Sequence, residues 1–125
     1  PREPRTLGTL PLYDGEATGT SGDYQRFFIL DGVRYAHLLD PRSGWPTTGT
    51  QALTVLVTPR ANAGTLSDAA SKPAFIAGDA WLPQLQRQGI DHGLRVAADG
   101  SIEVTRLMRA RIQFAPDVGP IRVVD

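Results

Sequence analysis

The residues of this chain best suited to acid–base chemistry are His37 and Asp40, which lie three positions apart. Between two apolar runs, Asp31 and Gly32 form a two-residue linker that is typical of a tight β-hairpin. Strand pairing across that turn would place Arg26 opposite His37. A neighbouring guanidinium favours the neutral imidazole, which is the form that a general base needs near pH 7. The alternative is a half-buried strand histidine bonded to a carbonyl, which is the commoner state of a lone histidine.

A run of small and hydroxyl-bearing residues precedes this predicted hairpin over residues 17–24. It contains Thr20, Ser21, Gly22 and Asp23, and residues 13–22 are predicted to form a loop. Backbone N–H groups in a loop of this composition can approach a phosphate closely. The composition also fits a flexible turn without any ligand, and taken alone it favours that interpretation. Asp23 stands where a G-x-S-x-G nucleophile elbow needs glycine, and no lysine follows as it would in a P-loop.

Asp68 and Lys72 are four residues apart, so a helix in this segment would bring them to one face. An exposed ion pair at this spacing contributes about 0.3 kcal/mol, and Asp68 could equally stabilise the start of the helix. A functional interpretation makes Asp68 a cation ligand, although one aspartate needs further oxygen ligands beside it. Lys72 is distinctive because it is the only lysine among 13 basic residues.

A mixture of strands and helices must position these side chains. Apolar periodicity and turn residues predict a first hairpin over residues 24–30 and 33–39, a buried strand over 51–58 and a helix over 65–78 capped by Thr65. A short helix over 79–88, a second hairpin over 92–97 and 102–105, and a final helix or strand over 107–114 follow. Strands and helices do not alternate regularly. This favours an α+β fold, with a mixed or antiparallel sheet and hairpins packed against two or three helices.

The composition is that of an ordinary globular chain and excludes several classes of function. The 125 residues, 41% hydrophobic and 21% charged, suit a single domain over residues 1–125. A net charge of zero at pH 7 gives no support for nucleic acid or an anionic membrane as a partner. No apolar run approaches roughly 18 residues, so no transmembrane segment is predicted. The absence of cysteine excludes disulfides, thiolate metal sites and a cysteine nucleophile.

Three motifs resemble those of the ApbE-type flavin transferases, the FAD:protein FMN transferases. Residues 20–24, T-S-G-D-Y, resemble that family's A-T-S-G-D-Y. Residues 34–46, R-Y-A-H-L-L-D-P-R-S-G-W-P, resemble R-Y-H-H-I-I-D-P-R-T-G-x-P, and residues 67–78, S-D-A-A-S-K-P-A-F-I-A-G, resemble A-D-A-L-S-T-A-L-F-V-x-G. The shared order and spacing of three motifs make the signal strong. The resemblance runs from about Leu10 to about Phe114 and corresponds to the C-terminal half of an ApbE-like fold.

The resemblance implies an enzyme that moves the FMN portion of FAD onto a Ser or Thr hydroxyl of a target flavoprotein and releases AMP. It implies that His37 deprotonates the acceptor hydroxyl and that Asp68 binds a divalent cation, usually magnesium. It also implies a set of cofactor-binding residues in the first two motifs: Thr20, Ser21, Gly22, Asp23 and Asp40. Proteins of this kind are commonly exported, which implies a periplasmic location.

The chain departs from the family pattern in ways that matter for function. The family's usual length is more than twice that of this chain. An N-terminal half that supplies much of the flavin pocket is therefore expected to be a separate chain or to have been removed, unless this domain works differently. Lys72 stands where the family has a metal-ligating Thr, and its ammonium could neutralise pyrophosphate in place of the metal. This puts magnesium in doubt and predicts that metal dependence is weakened or lost. Ala36 replaces the first histidine of the family's pair, whereas His37 is retained.

Two other functions stay open. A non-catalytic FAD-binding or flavoprotein-maturation module derived from this family would fit the absent half and Lys72. An interaction domain that binds no flavin would require residues 20–23 to form only a turn.

Overall fold

Nine strands and three helices follow one another along residues 6–125, the part of the chain that the computed structural model describes. The predicted single domain also includes residues 1–5, which lie outside that part. The strands are β1 (Gly8–Thr9), β2 (Ala17–Gly22), β3 (Phe27–Leu30), β4 (Val33–Ala36), β5 (Thr50–Val57), β6 (His92–Ala97), β7 (Ile102–Thr105), β8 (Gln113–Phe114) and β9 (Ile121–Val124). The helices are α1 (Ala63–Ile76), α2 (Trp81–Gln86) and α3 (Arg106–Arg111), and a 3-10 turn at Gly78–Ala80 leads into α2.

The main sheet has five strands in the order β2-β5-β6-β7-β9. The pairings of β2 with β5, β5 with β6 and β6 with β7 are antiparallel, whereas β9 joins β7 in parallel. The strand β5 is rich in β-branched and apolar residues, which suits a central strand that is covered on both faces. The mixed sheet and its few helices confirm the predicted α+β class.

Two apolar layers enclose this sheet. On one face, α1 and α2 pack against β5 through a buried cluster that includes Leu53, Val55, Val57, Phe75, Trp81 and Leu85. On the other face, α3 and the segment around β1 cover a second cluster that includes Leu56, Leu94, Val96, Val104 and Met108. Within the described residues, no helix is both long and apolar enough to cross a membrane.

The prediction of a loop over residues 13–22 is wrong for residues 17–22, which form β2. This strand pairs with β5 along its whole length, from Ala17 opposite Val57 to Gly22 opposite Ala52. Local composition favoured a loop, but pairing with a buried neighbour outweighed the weak local preference. Gly19 has a packing role, since a Cβ atom there would lie 2.4 Å from the carbonyl oxygen of Ser67. Glycine therefore lets α1 approach the backbone of β2.

The helix α1 begins two residues earlier than predicted. It starts at Ala63, and Asn62 occupies the N-cap in a left-handed conformation with φ 61°. The prediction that Thr65 caps the helix is wrong, because Thr65 lies inside the first turn. The predicted second helix corresponds to α2 and the second hairpin to β6 and β7. The segment over residues 107–114, predicted as a helix or a strand, contains α3 and then β8.

The first hairpin is confirmed as the two-stranded sheet of β3 and β4. Its register pairs Leu30 with Val33 and Phe28 with Tyr35, as predicted. Asp31 and Gly32 both have positive φ, 50° and 76°, as a primed two-residue turn requires. The strands are shorter than predicted and end before residue 37. All four side chains of β3 are exposed, so the hairpin presents an apolar surface to the solvent.

Candidate functional site

A cleft of about 220 Å³ brings together residues from all three sequence clusters. Its walls are the end of β2, the bend that follows β2, the residue after β4 and the exposed side of α1. The lining residues are Thr20, Ser21, Gly22, Tyr24, Gln25, Arg26, His37, Asp68 and Lys72. Residues that are far apart in the sequence therefore surround one space, and this makes the cleft the candidate site.

Ser21 fastens the β2 wall of the cleft to α1. Its Oγ lies 2.8 Å from Ser71 Oγ, and Ser71 Oγ donates to the backbone carbonyl of Asp68 at 2.9 Å. The single Ser71 hydroxyl proton is used in that second bond, so Ser21 must be the donor in the first. Ser21 is 7% exposed. Its hydroxyl thus positions the turn of α1 that carries Asp68.

The end of β2 directs backbone groups toward the open edge of the sheet. The Asp23 amide donates to the Gln51 carbonyl at 3.0 Å, which places the odd-numbered residues of β2 in hydrogen-bonded pairs with β5. The amides of Thr20 and Gly22 therefore point away from β5. Because β2 is an edge strand of the sheet, these amides face the open side beside the cleft. Outward amides are suitable donors to an anionic ligand.

Asp23 lies beneath the cleft and does not line it. The residue is 4% exposed, and its backbone carbonyl accepts a bond from Arg34 Nη1 at 3.3 Å. Its amide bond with Gln51 extends the β2–β5 ladder by one residue. Asp23 therefore supports the bend that carries Tyr24 and Gln25.

His37 lines the cleft from the base of the hairpin. Its amide donates to the Arg26 carbonyl oxygen at 3.2 Å, and its Nδ1 lies 3.0 Å from the same oxygen. A carbonyl oxygen only accepts hydrogen bonds, so this contact requires the proton on Nδ1. The lone pair of the neutral ring is then on Nε2, and the exposed ring can accept a proton there. The carbonyl bond agrees with the alternative interpretation of His37, but the residue is exposed and lies after β4, and its role as a base stays a prediction.

Asp40 shapes the turn after the hairpin. Its carboxylate accepts bonds from the Arg42 amide at 2.9 Å and from Arg42 Nη2 at 2.7 Å. These bonds hold the pKa of the Asp40 carboxyl below its usual value. The Asp40 carbonyl also accepts the amides of Ser43 and Gly44. Asp40 does not line the cleft that His37 lines.

Asp68 and Lys72 form the predicted pair on one face of α1. Lys72 Nζ lies 2.7 Å from Asp68 Oδ1 and 3.0 Å from the Asp68 carbonyl oxygen. The pair is exposed on the cleft side, with 43% of the Lys72 side chain and 76% of the Asp68 side chain accessible. The ammonium thus contacts the carboxylate and the carbonyl that a cation at Asp68 would use.

The donors around Asp68 do not fit a divalent cation. Magnesium prefers near-octahedral oxygen coordination, with one or two carboxylates beside waters and substrate phosphates. Among residues 6–125, Asp68 is the only carboxylate that lines the cleft, and the ammonium of Lys72 is already paired with it. No group of three His, Cys, Asp or Glu side chains suited to a metal ion occurs within residues 6–125.

Sequence reasoning missed three contributors to the site. Tyr24 and Gln25 were assigned to a strand, but residues 23–26 form a bend that places both residues at the cleft. Ser71 went unnoticed, although its position three residues after Asp68 places both on neighbouring turns of α1. The available signal for Ser71 was a serine on the helix face that packs on a strand, where the strand contains a serine as well.

A second cavity of about 270 Å³ lies on the other side of β2 and is mainly apolar. It is bounded by the β1 segment, the sheet and α3, and the described residues that line it include no His, Asp, Glu, Lys or Arg. Acid–base and anion-binding side chains therefore favour the cleft at His37 over this apolar cavity.

Comparisons with known proteins agree on one family. Residues 1–95 match the ApbE family. A curated relative from Rhodobacter capsulatus, named FAD:protein FMN transferase, is 40% identical over 128 aligned residues that cover 100% of this chain. The crystal structure of the ApbE protein from Thermotoga maritima covers 75% of the chain, with a TM-score of 0.65 and 36% identity. The apo form of the Pseudomonas stutzeri flavinyl transferase ApbE covers 84%, with a TM-score of 0.61 and 31% identity.

The chain spans only part of these proteins. It corresponds to 24% of the Rhodobacter relative and to 30% and 33% of the Thermotoga and Pseudomonas chains. The family match nevertheless extends over most of the chain, and the solved structures share its fold. These findings confirm the resemblance inferred from the three motifs. The chain belongs to the ApbE family.

Proposed function

We propose that this chain supplies the base and the phosphate-binding wall of an FAD:protein FMN transferase. The observation that carries the proposal is the convergence of His37, the outward amides of β2 and Lys72 on one cleft. The name of the Rhodobacter relative supports the same reaction. Because the chain spans 24% of that relative, we propose that further polypeptide completes the flavin pocket.

In the proposed reaction, the acceptor Ser or Thr oxygen attacks the phosphorus that carries riboflavin in FAD. A P–O bond to the acceptor forms, the P–O bond to the bridging oxygen breaks, and AMP leaves with that oxygen. The acceptor proton passes to Nε2 of His37. Positioning and charge neutralisation supply most of the rate in such transfers, and a general base adds roughly 10²–10⁴-fold.

The residues of the cleft walls have distinct roles in this proposal. The amides of Thr20 and Gly22 bind phosphate oxygens, while Ser21 keeps β2 and α1 at a fixed separation. Asp23 and Asp40 act from behind the cleft, through the bend and the turn that they stabilise. Support for these roles comes from the edge position of β2 and from the bonds of Ser21 to α1.

In-gel flavin fluorescence tests the proposal. The chain is incubated with FAD and an acceptor flavoprotein, and the Rhodobacter relative serves as the positive control for acceptor competence. We expect a fluorescent acceptor band with the chain, either alone or together with a fragment of that relative that lacks the matching region. Loss of the band in His37→Ala supports the proposal. A fluorescent band of undiminished intensity in that variant contradicts it.

A non-catalytic FAD-binding module is the second candidate function. The short span of the chain and the closed Asp68–Lys72 pair favour it. Saturable FAD binding without transfer, while the positive control labels the same acceptor, would establish this module. If FAD does not bind even in the presence of the complementing fragment, both candidates are excluded and an interaction domain without flavin is favoured.

We also propose that the protein acts in the periplasm, on the basis of the family resemblance. Fractionation of cells that express the complete gene tests this. Recovery with periplasmic markers is expected, and recovery with cytosolic markers contradicts the proposal.

A further inference from the structure

The ammonium of Lys72 is paired with the carboxylate of Asp68, the group that was predicted to bind a metal ion. Its Nζ lies 2.7 Å from the carboxylate and 3.0 Å from the backbone carbonyl of Asp68. We infer that the cleft binds a diphosphate group through Lys72 and does so without a divalent cation. The inference rests on the proposed function, because the ligand is the diphosphate of FAD.

The charge balance of the cleft favours an anion. Lys72 and Arg26 supply two positive charges to the lining, and Asp68 supplies one negative charge. An ammonium has three N–H donors, so the two contacts with Asp68 leave one for a phosphate oxygen. Asp68 then orients the ammonium and does not act as a metal ligand.

The position of the ammonium matches the other anion-binding groups. Ser21 and Ser71 link β2 to the turn of α1 that ends at Lys72, so the strand edge and the ammonium form one rigid wall. Gly22 lies at the end of that wall with its amide directed outward. A phosphate in the cleft can therefore accept bonds from the backbone and from Lys72 together, which is the combination found at nucleotide phosphates in other folds.

A divalent cation would compete with this arrangement. A cation on Asp68 Oδ1 would have to displace the ammonium or lie beside it, and two positive groups at one carboxylate repel each other. A tightly bound metal at this site is therefore expected only when the charge on Lys72 has been removed.

Calorimetric titration of ADP and FAD tests the inference. ADP probes the diphosphate without the flavin, and each titration is run in EDTA and again with excess Mg²⁺. We expect affinities that agree within about twofold between the two conditions. We also expect that Lys72→Met weakens binding in EDTA by about tenfold, the loss of one charge-assisted bond. The variant Lys72→Arg should stay close to the wild type.

Controls separate charge from folding. Arg87→Met removes one positive charge at the exposed end of α2, away from the cleft, and should leave both affinities unchanged. Circular dichroism melting of each variant reports the fold. A titration with Mn²⁺, followed by electron paramagnetic resonance, should detect no bound metal in the wild type.

The possible outcomes distinguish this inference from the proposed function. FAD binding that requires Mg²⁺, or a Mn²⁺ site that Asp68→Asn abolishes, overturns the inference and leaves the proposed function intact. Unchanged affinity in a folded Lys72→Met variant also overturns the inference. Failure of both ADP and FAD to bind in EDTA and in Mg²⁺, with and without the complementing fragment, overturns the two together.

Discussion

The imidazole Nδ1 of His37 lies 3.0 Å from the backbone carbonyl oxygen of Arg26. The His37 amide donates to the same oxygen at 3.2 Å, so one carbonyl at the base of the hairpin holds both the backbone and the ring. This relationship assigns the proton to Nδ1 and the lone pair to Nε2. The base of the hairpin therefore fixes the orientation of the imidazole ring.

Replacing His37 should remove the base and leave cofactor binding intact. In His37→Ala we expect FMN transfer to fall by roughly 10²–10⁴-fold, the usual contribution of a general base. The FAD dissociation constant should change by less than about twofold, because the proposed role concerns the acceptor proton. In-gel fluorescence measures transfer, and quenching of FAD fluorescence measures binding.

The matched control is the other histidine of the chain, His92, at the start of β6. His92→Gln should leave transfer unchanged. Equal losses of transfer in the two variants, or a loss of FAD binding that accounts for all of the lost transfer in His37→Ala, would contradict the assigned role.

Gly19 should be essential for the packing of α1 on β2. A Cβ atom at this position would lie 2.4 Å from the Ser67 carbonyl oxygen and 2.9 Å from the Asp68 amide nitrogen. Because these are backbone atoms, the helix itself must shift. We expect Gly19→Ala to lower the free energy of unfolding by about 3 kcal/mol, as measured by urea denaturation.

Gly64→Ala provides a control within α1 itself. A Cβ atom at Gly64 has no neighbour within 4 Å, and the residue lies in the helix. Alanine should therefore raise the free energy of unfolding by about 0.5–1 kcal/mol. The account of the β2–α1 contact is wrong if Gly19→Ala proves as stable as Gly64→Ala.

Glu16 should make folding stability depend on pH in the acidic range. Arg111 Nη1 and Nη2 each lie 2.8 Å from a Glu16 carboxylate oxygen, and the Tyr13 amide donates to Oε2 at 2.9 Å. These bonds, with Arg111 the first cause, lower the pKa of Glu16 from 4.5 to about 2. The stabilisation is therefore complete above pH 4.5 and is lost as the pH falls toward about 2.

Urea denaturation of the wild type and Glu16→Gln at several pH values tests this. The difference in free energy of unfolding should be largest above pH 4.5 and should shrink as the pH falls toward about 2. Asp14→Asn, a change of the same charge in the exposed turn before Glu16, should give a smaller and flatter difference. If the difference in free energy of unfolding between the wild type and Glu16→Gln is the same at every pH, the pKa of Glu16 is not lowered in the folded protein.

Removing one partner of the buried ion pair between Arg95 and Glu103 should lower the free energy of unfolding. Arg95 is 2% exposed, and its Nη1 lies 3.0 Å from Glu103 Oε2, which also accepts from Trp81 Nε1 at 2.7 Å. Glu103→Gln removes the buried partner of Arg95 and leaves it paired with the exposed Asp79, so we expect the free energy of unfolding to fall by about 3 kcal/mol. Thermal and urea denaturation measure it.

The exposed pair of Arg106 and Asp125 is the comparison for that measurement. Asp125→Asn should lower the free energy of unfolding by less than about 1 kcal/mol, because exposed ion pairs are weak. A Glu103→Gln variant that loses no more than Asp125→Asn would show that the buried network does not stabilise the fold as described.

Local sequence signals predicted the elements that local interactions determine. The Asp31-Gly32 turn fixed the register of the first hairpin, since both residues tolerate positive φ. The helix spacing of Asp68 and Lys72 likewise predicted their ion pair. The three motifs contain six of the residues predicted for the site that line the cleft, namely Thr20, Ser21, Gly22, His37, Asp68 and Lys72, but they also contain Asp23 and Asp40, which do not line it.

The other features of the fold and of the cleft depend on contacts between residues that are distant in the sequence, and no local pattern encodes these contacts. The residues of β2 are small and polar and become a strand only by pairing with β5. Gly19 lacks a side chain because α1 packs closely on it at Ser67, 48 residues later in the chain, and not because a ligand does. Asp40 was grouped with His37 by sequence proximity, but the turn directs its carboxylate to Arg42. The predicted roles of Asp23 and Asp40 in cofactor binding stay predictions.

The central claim is that FAD occupies the cleft between β2, the hairpin base and α1. An amide-resolved NMR titration of the chain with FAD in EDTA tests it most directly. We expect the largest chemical-shift changes at Gly22, His37 and Lys72, with little change in the apolar cavity near Leu94 and Met108. Shift changes concentrated in the apolar cavity, or none in the cleft at saturating FAD, would contradict the account.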